Sequence, residues 1–466
     1  MKDSGVESLG EVPKHWEVQP IGRMGRLFKG NGGSKEDEVP AGVPCVRYGD
    51  LYSRHEYFIT CAKGFVSVER ATDYTPIRYG DLLFAASGET IEDIGRSAVS
   101  LMQTGAVCGG DLLLMRPKVA VLPEYLGYAA DSAASREQKA RMGRGFTVVH
   151  IYRSQLRRLA LPLPPVTEQA AIVRFLGHVD RRIRRYIRAK QKLIKLLEEQ
   201  KQAIIHQAVT RGLDPNVAQK PSGVGWLGDV PEHWDVVRNG RLFLQRNETG
   251  SPDLPILEVS LRTGVRHRDM NSSERKQIMA DRSKYKRVRA GDIAYNTMRM
   301  WQGAVGVAPS CGLVSPAYVV AAPVQGAEPR YFGHLFRTES FMGEADRNSR
   351  GIVKDRNRLY WEDFRGMLVC CPPSKEQVAI ADAVDSTCRQ IAEATNHVLV
   401  ELNLLGELRS RLIADVVTGK LDVREAAARL PDEGDEPDGV DEVDEGVDAI
   451  EESDDELVDV LEGVEA

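Results

Sequence analysis

Apolar and polar residues follow two different periods along this chain, and the change from one period to the other occurs twice. Residues 1–160 and 216–368 contain short apolar runs bounded by turn residues, such as GDLLFAAS at 80–87 and GDIAYNTM at 291–298. Runs of this length between Gly, Pro and Asp predict strands. Stretches such as PEYLGYAADSA at 123–133 predict helices between them. Each region is therefore expected to be an α+β domain with an irregular sheet.

A helical period follows each of these regions. Between residues 167 and 210 there is no proline and a single glycine, and apolar residues recur every three or four positions. About 44 residues of helix would extend about 65 Å, which is too long to pack wholly against one small domain. The two helices are therefore expected to pair with each other as an antiparallel coiled coil, with Thr167 and Ser374 as N-caps. The predicted seam comprises Ile172, Leu176, Val179, Ile183, Ile187, Ile194, Leu197, Ile204 and Ala208 in the first helix, and Ile380, Val384, Ile391, Val398, Leu402, Leu405, Leu408, Leu412 and Val416 in the second.

The chain also contains an internal repeat. Three segments recur in the same order: VESLGEVPKHWEV (6–18) as VGWLGDVPEHWDV (224–236), LPLPPVTEQAAIV (161–173) as VCCPPSKEQVAIA (369–381), and IIHQAVTRGLD (204–214) as LIADVVTGKLD (412–422). A period of roughly two hundred residues is too long for a solenoid. It indicates two similar domains related by an approximate two-fold axis, which suits a target with two half-sites.

Charge is distributed unevenly. The chain has 62 Lys and Arg against 68 Asp and Glu, but 18 of the acidic residues, and no Lys or Arg, lie in 431–466. Residues 1–430 therefore carry about +12 (62 − 50), which permits contact with a phosphate backbone. The composition of the acidic tail predicts disorder. The tail either competes with DNA for a basic groove or acts as a solubilising extension.

Several classes of function are disfavoured. No apolar run reaches the roughly 18 residues of a membrane span, and residues 1–16 have no apolar signal region. Seven cysteines without paired spacing indicate reduced thiols and a cytoplasmic protein. There is no phosphate-binding GxxxxGK[ST] loop, and both Pro-Pro pairs lack the flanking residues of an adenine methyltransferase. Asp131, Glu137 and Lys139 mimic a nuclease motif, which we interpret as a chance match. The chain is expected to have no catalytic and no metal site.

The repeated motifs resemble the specificity subunit of type I restriction–modification systems. The resemblance covers nearly the whole chain except the acidic tail. It depends on LGEVPKHWEV and LGDVPEHWDV at the start of the repeats, PP-x-x-EQ before both long helices, and GLD or KLD after them. FAASGETIEDIGRSAV (84–99) and YNTMRMWQGAVGV (295–307) look like parts of the target-recognition domains of that family.

This resemblance implies a non-catalytic subunit in which each of two target-recognition domains reads one half of a bipartite DNA sequence. The helices would set the spacer and dock two modification subunits, which use S-adenosylmethionine to methylate adenine N6. Restriction subunits, with a motor and nuclease that use ATP and Mg, would be further partners in the cytoplasm of a bacterium or archaeon. This chain itself would bind no cofactor. The alternative is a non-catalytic coiled-coil scaffold that assembles proteins.

The predicted fold class is α+β, with two target-recognition domains that have irregular sheets and are separated by two long antiparallel coiled-coil helices. The predicted boundaries are 1–160 for the first target-recognition domain, 161–215 for the central helix, 216–368 for the second domain, 369–425 for the C-terminal helix, and 426–466 for a disordered acidic tail.

Candidate DNA-binding residues are polar or basic and lie on predicted loops flanked by glycine, because base edges and phosphates are contacted by such side chains. In the first domain they are Lys29, Asn31, Lys35, Arg47, Ser87, Glu89, Thr90, Arg96, Arg144 and Thr147. In the second domain they are Arg246, Arg262, Thr263, Arg266, Arg268, Asn296, Arg299, Gln302, Arg350 and Lys354. The two sets differ in chemistry, so the two half-sites are expected to differ in sequence.

Overall fold

Two long helices, Val166–Arg211 and Ser374–Val417, are the largest elements of the computed structural model. The structure describes residues 1–33, 37–145, 148–251, 253–268, 282–351 and 357–431. The chain divides into two compact units, here called unit 1 (Met1–Arg188 with Glu401–Ala466) and unit 2 (Ala189–Val400). Each long helix contributes residues to both units, so the predicted segments 161–215 and 369–425 are each divided between them. The predicted disordered tail lies outside the described residues from position 432 onwards.

Unit 1 contains two five-stranded sheets. In spatial order the first consists of Gly25–Lys29, Leu112–Pro117, Leu82–Ala85, Ser97–Ser100 and Phe58–Ile59, and the second of Glu38–Val39, Gly64–Val66, Val43–Val46, Ala106–Cys108 and Thr75–Ile77. Short antiparallel ribbons pair Lys2–Asp3 with Glu11–Val12, Glu17–Pro20 with Ala160–Leu163, and Ser87–Gly88 with Val149–His150. The shorter helices are Ile21–Met24, Asp50–Ser53, Val68–Ala71, Pro123–Asp131, Ala133–Met142, Arg153–Leu156 and Arg424–Ala428. The last of these straddles the predicted boundary at residue 426.

Unit 2 contains a four-stranded antiparallel sheet in the order Phe243–Arg246, Tyr318–Pro323, Ile293–Asn296 and Val305–Val307. Strand pairs join Gln219–Pro221 to Asp229–Pro231, Asp235–Arg238 to Leu368–Cys371, Leu257–Ser260 to Gly264–His267, and Lys286–Val288 to Gly312–Val314. The shorter helices are Asn239–Leu242, Pro329–Leu335, Glu339–Asn348 and Trp361–Phe364, with 3₁₀ turns at Arg282–Lys284 and Met300–Gln302. The mixture of helices with short, irregular sheets in both units confirms the predicted α+β class.

The inner strand Leu82–Ala85 of the first sheet is apolar throughout. All four residues of Leu82–Ala85 are buried, because this strand is paired on both edges and covered on both faces. A strand in that position has no solvent-facing side, so its sequence is a continuous apolar run instead of an alternating one. Ile293–Asn296 has the corresponding inner position in unit 2, where Ile293, Ala294 and Tyr295 are buried and only the last residue, Asn296, is polar and half-buried. No described helix is both long and apolar enough to cross a membrane.

The long helices pack against each other in antiparallel directions, as predicted. In unit 1, Leu176 shares a buried cluster with Ile413, and one turn further along the first helix Asp180 accepts a hydrogen bond from Arg409, one turn earlier in the second. In unit 2, residues 205–209 of the first helix share a core with residues 380–384 of the second. Within each unit, this pairing buries an apolar seam that neither helix could cover alone.

The buried seam differs in detail from the predicted one. Ile172, Leu176 and Ile183 are buried as expected, but towards the end of the first helix Ile205 replaces Ile204. A straight α-helix drifts by about 20° per heptad against a strict 3.5-residue repeat, so one apolar register cannot face the partner along 46 residues. Leu408, assigned to the seam of the second helix, is 55% exposed, and the neighbouring Arg409 turns inward instead.

Both predicted N-caps are wrong. The helices begin at Val166 and Ser374, so Thr167 and Ser374 lie inside the first turn. The preceding prolines occupy the cap position, and the Pro165 carbonyl accepts hydrogen bonds from the amides of residues 168 and 169 at 2.9 and 3.0 Å. Proline fits there because its fixed φ suits the start of a helix and the missing N–H would have no partner within the helix.

A glutamate in the first turn of each long helix binds the opening motif of the same repeat. Glu168 lies 2.7 Å from His15 Nε2 and accepts a hydrogen bond of 2.8 Å from Trp16 Nε1. Trp16 is itself buried, so the indole packs into the core while its single polar atom is satisfied by the carboxylate. Glu376 makes the corresponding contacts, at 2.8 Å with His233 and 3.1 Å with Trp234. Each His-Trp pair therefore joins the opening motif of its repeat to the start of a long helix.

The glutamine that follows each glutamate completes the anchor. Gln169 is fully buried, accepts from the Leu122 amide at 2.8 Å and donates to the Pro164 carbonyl at 2.9 Å. Gln377 repeats both contacts, with the amide of Glu328 and the carbonyl of Pro372, each at 2.8 Å. In both copies the backbone amide that donates to the glutamine belongs to the residue just before a helix that begins with proline. The Glu-Gln pair thus fixes the start of a long helix to its globular domain and explains why EQ recurs in the sequence.

The supposed nuclease motif is a buried ion pair. Lys139 and Asp131 have fully buried side chains, with Lys139 Nζ 2.7 Å from the carboxylate, and Glu137 pairs on the surface with Arg141. Lys139 Nζ also donates to Ser97 Oγ and the Ala130 carbonyl, each at 3.0 Å. Burial lowers the pKa of Lys139, against the opposing effect of the carboxylate. Two groups without solvent access form part of the core and cannot reach a substrate.

We expect Asp131→Asn to lower the free energy of unfolding by about 3–5 kcal/mol, because it leaves the Lys139 ammonium buried without a counter-charge. The double variant Asp131→Asn/Lys139→Met should regain part of this loss, since it replaces the buried ammonium with an apolar side chain of similar length, while Arg136, which also binds Asp131 at 2.8 Å, still loses its partner. Urea unfolding followed by circular dichroism checks both. A double variant no more stable than the single one would contradict this explanation.

Candidate nucleic-acid interface

A short ribbon in unit 1 carries several of the candidate residues. Ser87–Gly88 pairs with Val149–His150, and the Ser87 hydroxyl lies 2.9 Å from His150 Nδ1. The Tyr52 hydroxyl donates to the Ser87 carbonyl at 2.9 Å, and burial raises the pKa of Tyr52 to about 12, so the phenol keeps its proton. A Cβ on Gly88 would lie only 2.7 Å from that hydroxyl, so glycine permits the close approach.

Arg144 is brought to the same ribbon. Its backbone exchanges hydrogen bonds of 3.0 and 2.8 Å with His150, which closes a loop whose tip, residues 146–147, lies outside the described residues. Arg144, Glu89 and Thr90 are exposed around this closure. The ribbon therefore presents polar side chains from a backbone fixed by several hydrogen bonds. His150 was missed as a candidate, although it ends the same basic segment, GRGFTVVH.

Arg96 holds the Thr90 loop instead of extending into solvent. Its guanidinium lies 3.2 Å from Asp93 and 3.8 Å from the buried Asp131. Asp93 in turn shares two hydrogen bonds with Thr90, at 3.3 and 3.4 Å. The side chain of Arg96 is only one quarter exposed. Its charge is thus largely compensated within the fold, which the sequence could not indicate.

Lys29, Asn31 and Arg47 are the remaining described candidates of unit 1. Lys29 ends the edge strand of the first sheet, and Asn31 follows it in a glycine-rich loop fixed by the Gly110 amide, which donates to the Gly32 carbonyl at 2.7 Å. Arg47 is half-buried and lies 3.4 Å from Glu38. Three candidates, Lys35, Thr147 and Lys354, lie outside the described residues.

Unit 2 repeats the framework of the ribbon. Arg350 and Arg358 exchange backbone hydrogen bonds of 3.0 Å, as Arg144 and His150 do, and close a loop whose tip at 352–356 is likewise outside the described residues. The Leu359 amide donates to the Thr297 carbonyl at 2.9 Å, which fixes this loop beside the turn at 296–303. The corresponding bond in unit 1 joins the Ile151 amide to the Ala86 carbonyl, also at 2.9 Å.

The turn at 296–303 presents the other candidates. Asn296 Oδ1 accepts from the Met298 amide at 3.0 Å, and Gly303, at φ +87°, closes the turn in the left-handed region that glycine tolerates. Arg299 and Gln302 are exposed on this turn. Trp301 donates to the Met298 carbonyl at 3.0 Å and is half-buried, consistent with packing. The guanidinium of Arg350 binds Asp363.

A second loop of unit 2 is positioned by a residue that the sequence did not indicate. Arg337 donates to the carbonyls of Leu261 and Arg262 at 2.7 and 2.6 Å, and to the Val305 carbonyl at 3.2 Å. It thereby attaches the turn that carries Arg262 and Thr263 to the main sheet. Further along this hairpin Arg266 pairs with Glu258 at 2.7 Å, and the Arg268 amide pairs with the Ile256 carbonyl at 3.0 Å.

The side chain of Arg246 is paired with carboxylates of the fold and is not free to contact a ligand. Its Nε lies 2.8 Å from the nearly buried Asp292, and it also binds Glu248 at 2.7 Å. These hydrogen bonds raise the pKa of Arg246. In unit 1 the equivalent aspartate, Asp81, is bound by Arg116 from the neighbouring strand at 2.7 and 2.6 Å. Both aspartates follow a glycine and accept the amide three residues earlier, so the recurring Gly-Asp is a turn stabilised by an arginine.

The described residues contain no group of three or more His, Cys, Asp or Glu side chains that could hold a metal ion. The arrangement offers exposed basic and amide side chains on two rigid loop frameworks. Such side chains suit hydrogen bonding to base edges and phosphates.

Comparison with known proteins gives one consistent family. The sequence model for the type I restriction modification DNA specificity domain matches residues 13–196. The type I restriction enzyme EcoKI specificity subunit of Escherichia coli K12 is 22% identical over 89% of this chain and 91% of its own length. A putative type I restriction enzyme MjaX specificity subunit of Methanocaldococcus jannaschii is 28% identical over 50% of this chain. The chain spans about half, 53%, of that second relative.

The fold is similar to that of a solved chain from work on complex assembly and conformational transition of the type I R-M system. The TM-score is 0.64 at 16% identity, over 88% of this chain and all of the other. At that level of identity the likeness concerns the fold alone.

Substitution of Arg246, which is paired within the fold, and of Arg299, which is exposed, should have opposite effects on stability and on DNA binding. We expect Arg246→Met to lower the free energy of unfolding by about 2–3 kcal/mol, because Asp292 stays nearly buried without its charged partner. Arg299→Gln should change stability by less than about 0.5 kcal/mol but weaken binding of target duplex. Urea unfolding and fluorescence anisotropy measure the two effects, and the reverse pattern would contradict these assignments.

Proposed function

We propose that the chain is a specificity subunit of a type I restriction–modification system and that it reads a bipartite DNA target, one half-site with each unit; its similarity to the specificity domain and to known specificity subunits supports this. The long helices set the spacer between the half-sites and dock two adenine-N6 methyltransferase subunits. The chemistry belongs to those subunits with S-adenosylmethionine, and to restriction subunits that use ATP and Mg. The chain itself supplies recognition and geometry.

The observation that carries this proposal is the repeated loop framework with unlike side chains. In both units a two-residue backbone bridge, Arg144 with His150 and Arg350 with Arg358, closes a basic loop beside a second fixed turn. The second turn carries Ser87, Glu89 and Thr90 in one unit, and Asn296, Arg299 and Gln302 in the other. A common backbone with different donors and acceptors is what reading two different half-sites requires, because base identity is read by side chains.

Exposed leucines on the long helices support docking of partner subunits. Leu196 is 50% exposed and Leu404 58% exposed, and they occupy equivalent positions in the two copies of the helix. Leu193 and Leu408 add further exposed apolar area one turn away on each helix. An apolar strip on a helix favours burial against a partner. The equivalent leucines Leu196 and Leu404 suit two copies of one subunit.

The first test is to co-express the chain with its methyltransferase partner and to map N6-methyladenine by single-molecule sequencing. We expect methylation at one asymmetric bipartite motif that disappears when the chain is omitted. Exchange of residues 216–368 for the equivalent region of a relative should change one half of the motif only. A bound, folded methyltransferase without any motif would favour the alternative of a protein scaffold.

Docking is tested by Leu196→Glu and Leu404→Glu. Each should release one methyltransferase subunit, because a buried carboxylate without a partner costs enough free energy to weaken binding more than about tenfold. Native mass spectrometry then shows one bound subunit for each single variant and none for the double. Leu244→Glu is the matched control, since Leu244 is 62% exposed on a strand of unit 2. Equal loss in the control would count against the helix strips.

A further inference from the structure

Four arginines line a surface groove in unit 1 that the sequence did not single out. The groove has a volume of about 560 Å³ and lies between Arg23 on one side and Arg153, Arg157 and Arg158 on the other. Arg23 lies in the short helix Ile21–Met24, and the other three lie in and just after the helix Arg153–Leu156. We call this feature the arginine groove.

The backbone brings the two sides together. The Ile21 amide donates to the Leu159 carbonyl at 2.8 Å, and the Gly22 amide donates to the Arg157 carbonyl at 3.2 Å. A Cβ on Gly22 would lie 2.9 Å from that carbonyl oxygen, so glycine is needed for the approach. Arg23 therefore faces the second group because of tertiary pairing, not closeness in sequence.

The charges of the groove are not compensated within the described part of the chain. All four arginines are exposed, and none of them makes a side-chain hydrogen bond or ion pair with a described residue. Some exposed arginines of unit 1 are paired instead: Arg70 lies 3.2 Å from Asp37, and Arg429 binds Glu425. Four neighbouring like charges repel one another and do not stabilise the fold, which points to an anionic ligand.

The equivalent surface of unit 2 is less basic. The Gly240 amide donates to the Arg365 carbonyl at 2.9 Å, which identifies the matching positions. They hold Arg238, Arg241 and Arg365 together with Glu362, which lies 3.0 Å from Arg365. The net charge there is +2 (three arginines and one glutamate), against +4 in unit 1. The groove is thus a feature of one unit and not a consequence of the shared fold.

We propose that the arginine groove binds the phosphodiester backbone of duplex DNA beside the half-site of unit 1. This inference rests on the proposed function and adds a contact that carries no sequence information. Arg153 follows His150 of the ribbon by three residues, about 10 Å of extended chain, which corresponds to about three base pairs. Guanidinium groups bind phosphate oxygens in a bidentate manner, and four of them can follow several successive phosphates.

The test compares the full chain with Arg153→Gln/Arg158→Gln, using a fluorescent 30-base-pair duplex without the target motif, at increasing KCl. We expect the slope of log K against log salt to fall in magnitude by about 1.8, since each lost phosphate contact removes about 0.9. Arg153→Lys/Arg158→Lys should keep the wild-type slope, because the charges remain. Arg70→Gln/Arg429→Gln is the control with the same change in charge, and its slope should stay near wild type.

Three results would overturn the inference. The first is a salt slope in the groove variant equal to that of the wild type, and the second is an equal fall of the slope in the control variant. The third is a difference between groove variant and wild type that disappears when residues 432–466 are deleted from both. The last would identify the chain's own acidic segment as the ligand. Mapping of methylated motifs with the same variants separates the two proposals. If a methylated motif is found and the groove variant binds DNA as the wild type does, only the groove proposal is refuted. If the wild-type chain directs methylation to no motif at all, the proposed function itself is refuted.

Discussion

The start of each long helix depends on one small polar arrangement, and the rest of each unit is built around it. Glu168 and Gln169, with Glu376 and Gln377 in the second copy, bind an indole N–H, an imidazole and one backbone amide in a mostly buried setting. A buried polar group costs free energy unless it is paired, so these contacts permit one docking geometry and penalise others. The helix, the opening HW motif and the proline-initiated helix of the domain are thereby fixed together.

Around this shared anchor the two copies differ at positions where more than one pairing of side chains gives similar stability. The turn aspartate is bound by Arg116 on one strand in unit 1 and by Arg246 on the neighbouring strand in unit 2. The buried Lys139 of unit 1 is matched by the buried Ala345 of unit 2. An ion pair and an apolar contact can fill the same space at similar stability. The core therefore tolerates exchange, and the loops above it were free to acquire different chemistry.

Whether an arginine is free to bind a ligand depends on the tertiary structure, because a nearby carboxylate can neutralise it. Arg246, Arg96 and Arg350 looked like groove-facing cations in the sequence, but each binds a carboxylate of the fold. The four arginines of the groove, which also stay uncompensated, were not singled out, because Arg23 and Arg157 are far apart in sequence and meet only through backbone pairing. Composition counts basic residues but cannot show which carboxylates will neutralise them.

The duplication, the two long helices, the α+β class and the resemblance to type I specificity subunits could all be read from the sequence, since each depends on local period or on motifs that recur in order. The starts of the long helices were predicted to within two residues, because proline acts locally. Only the tertiary structure decided which apolar register faces the partner helix, how each long helix is divided between two compact units, and which arginines remain uncompensated. Those outcomes depend on contacts between residues as far apart as Asp180 and Arg409, whose pairing no local pattern encodes.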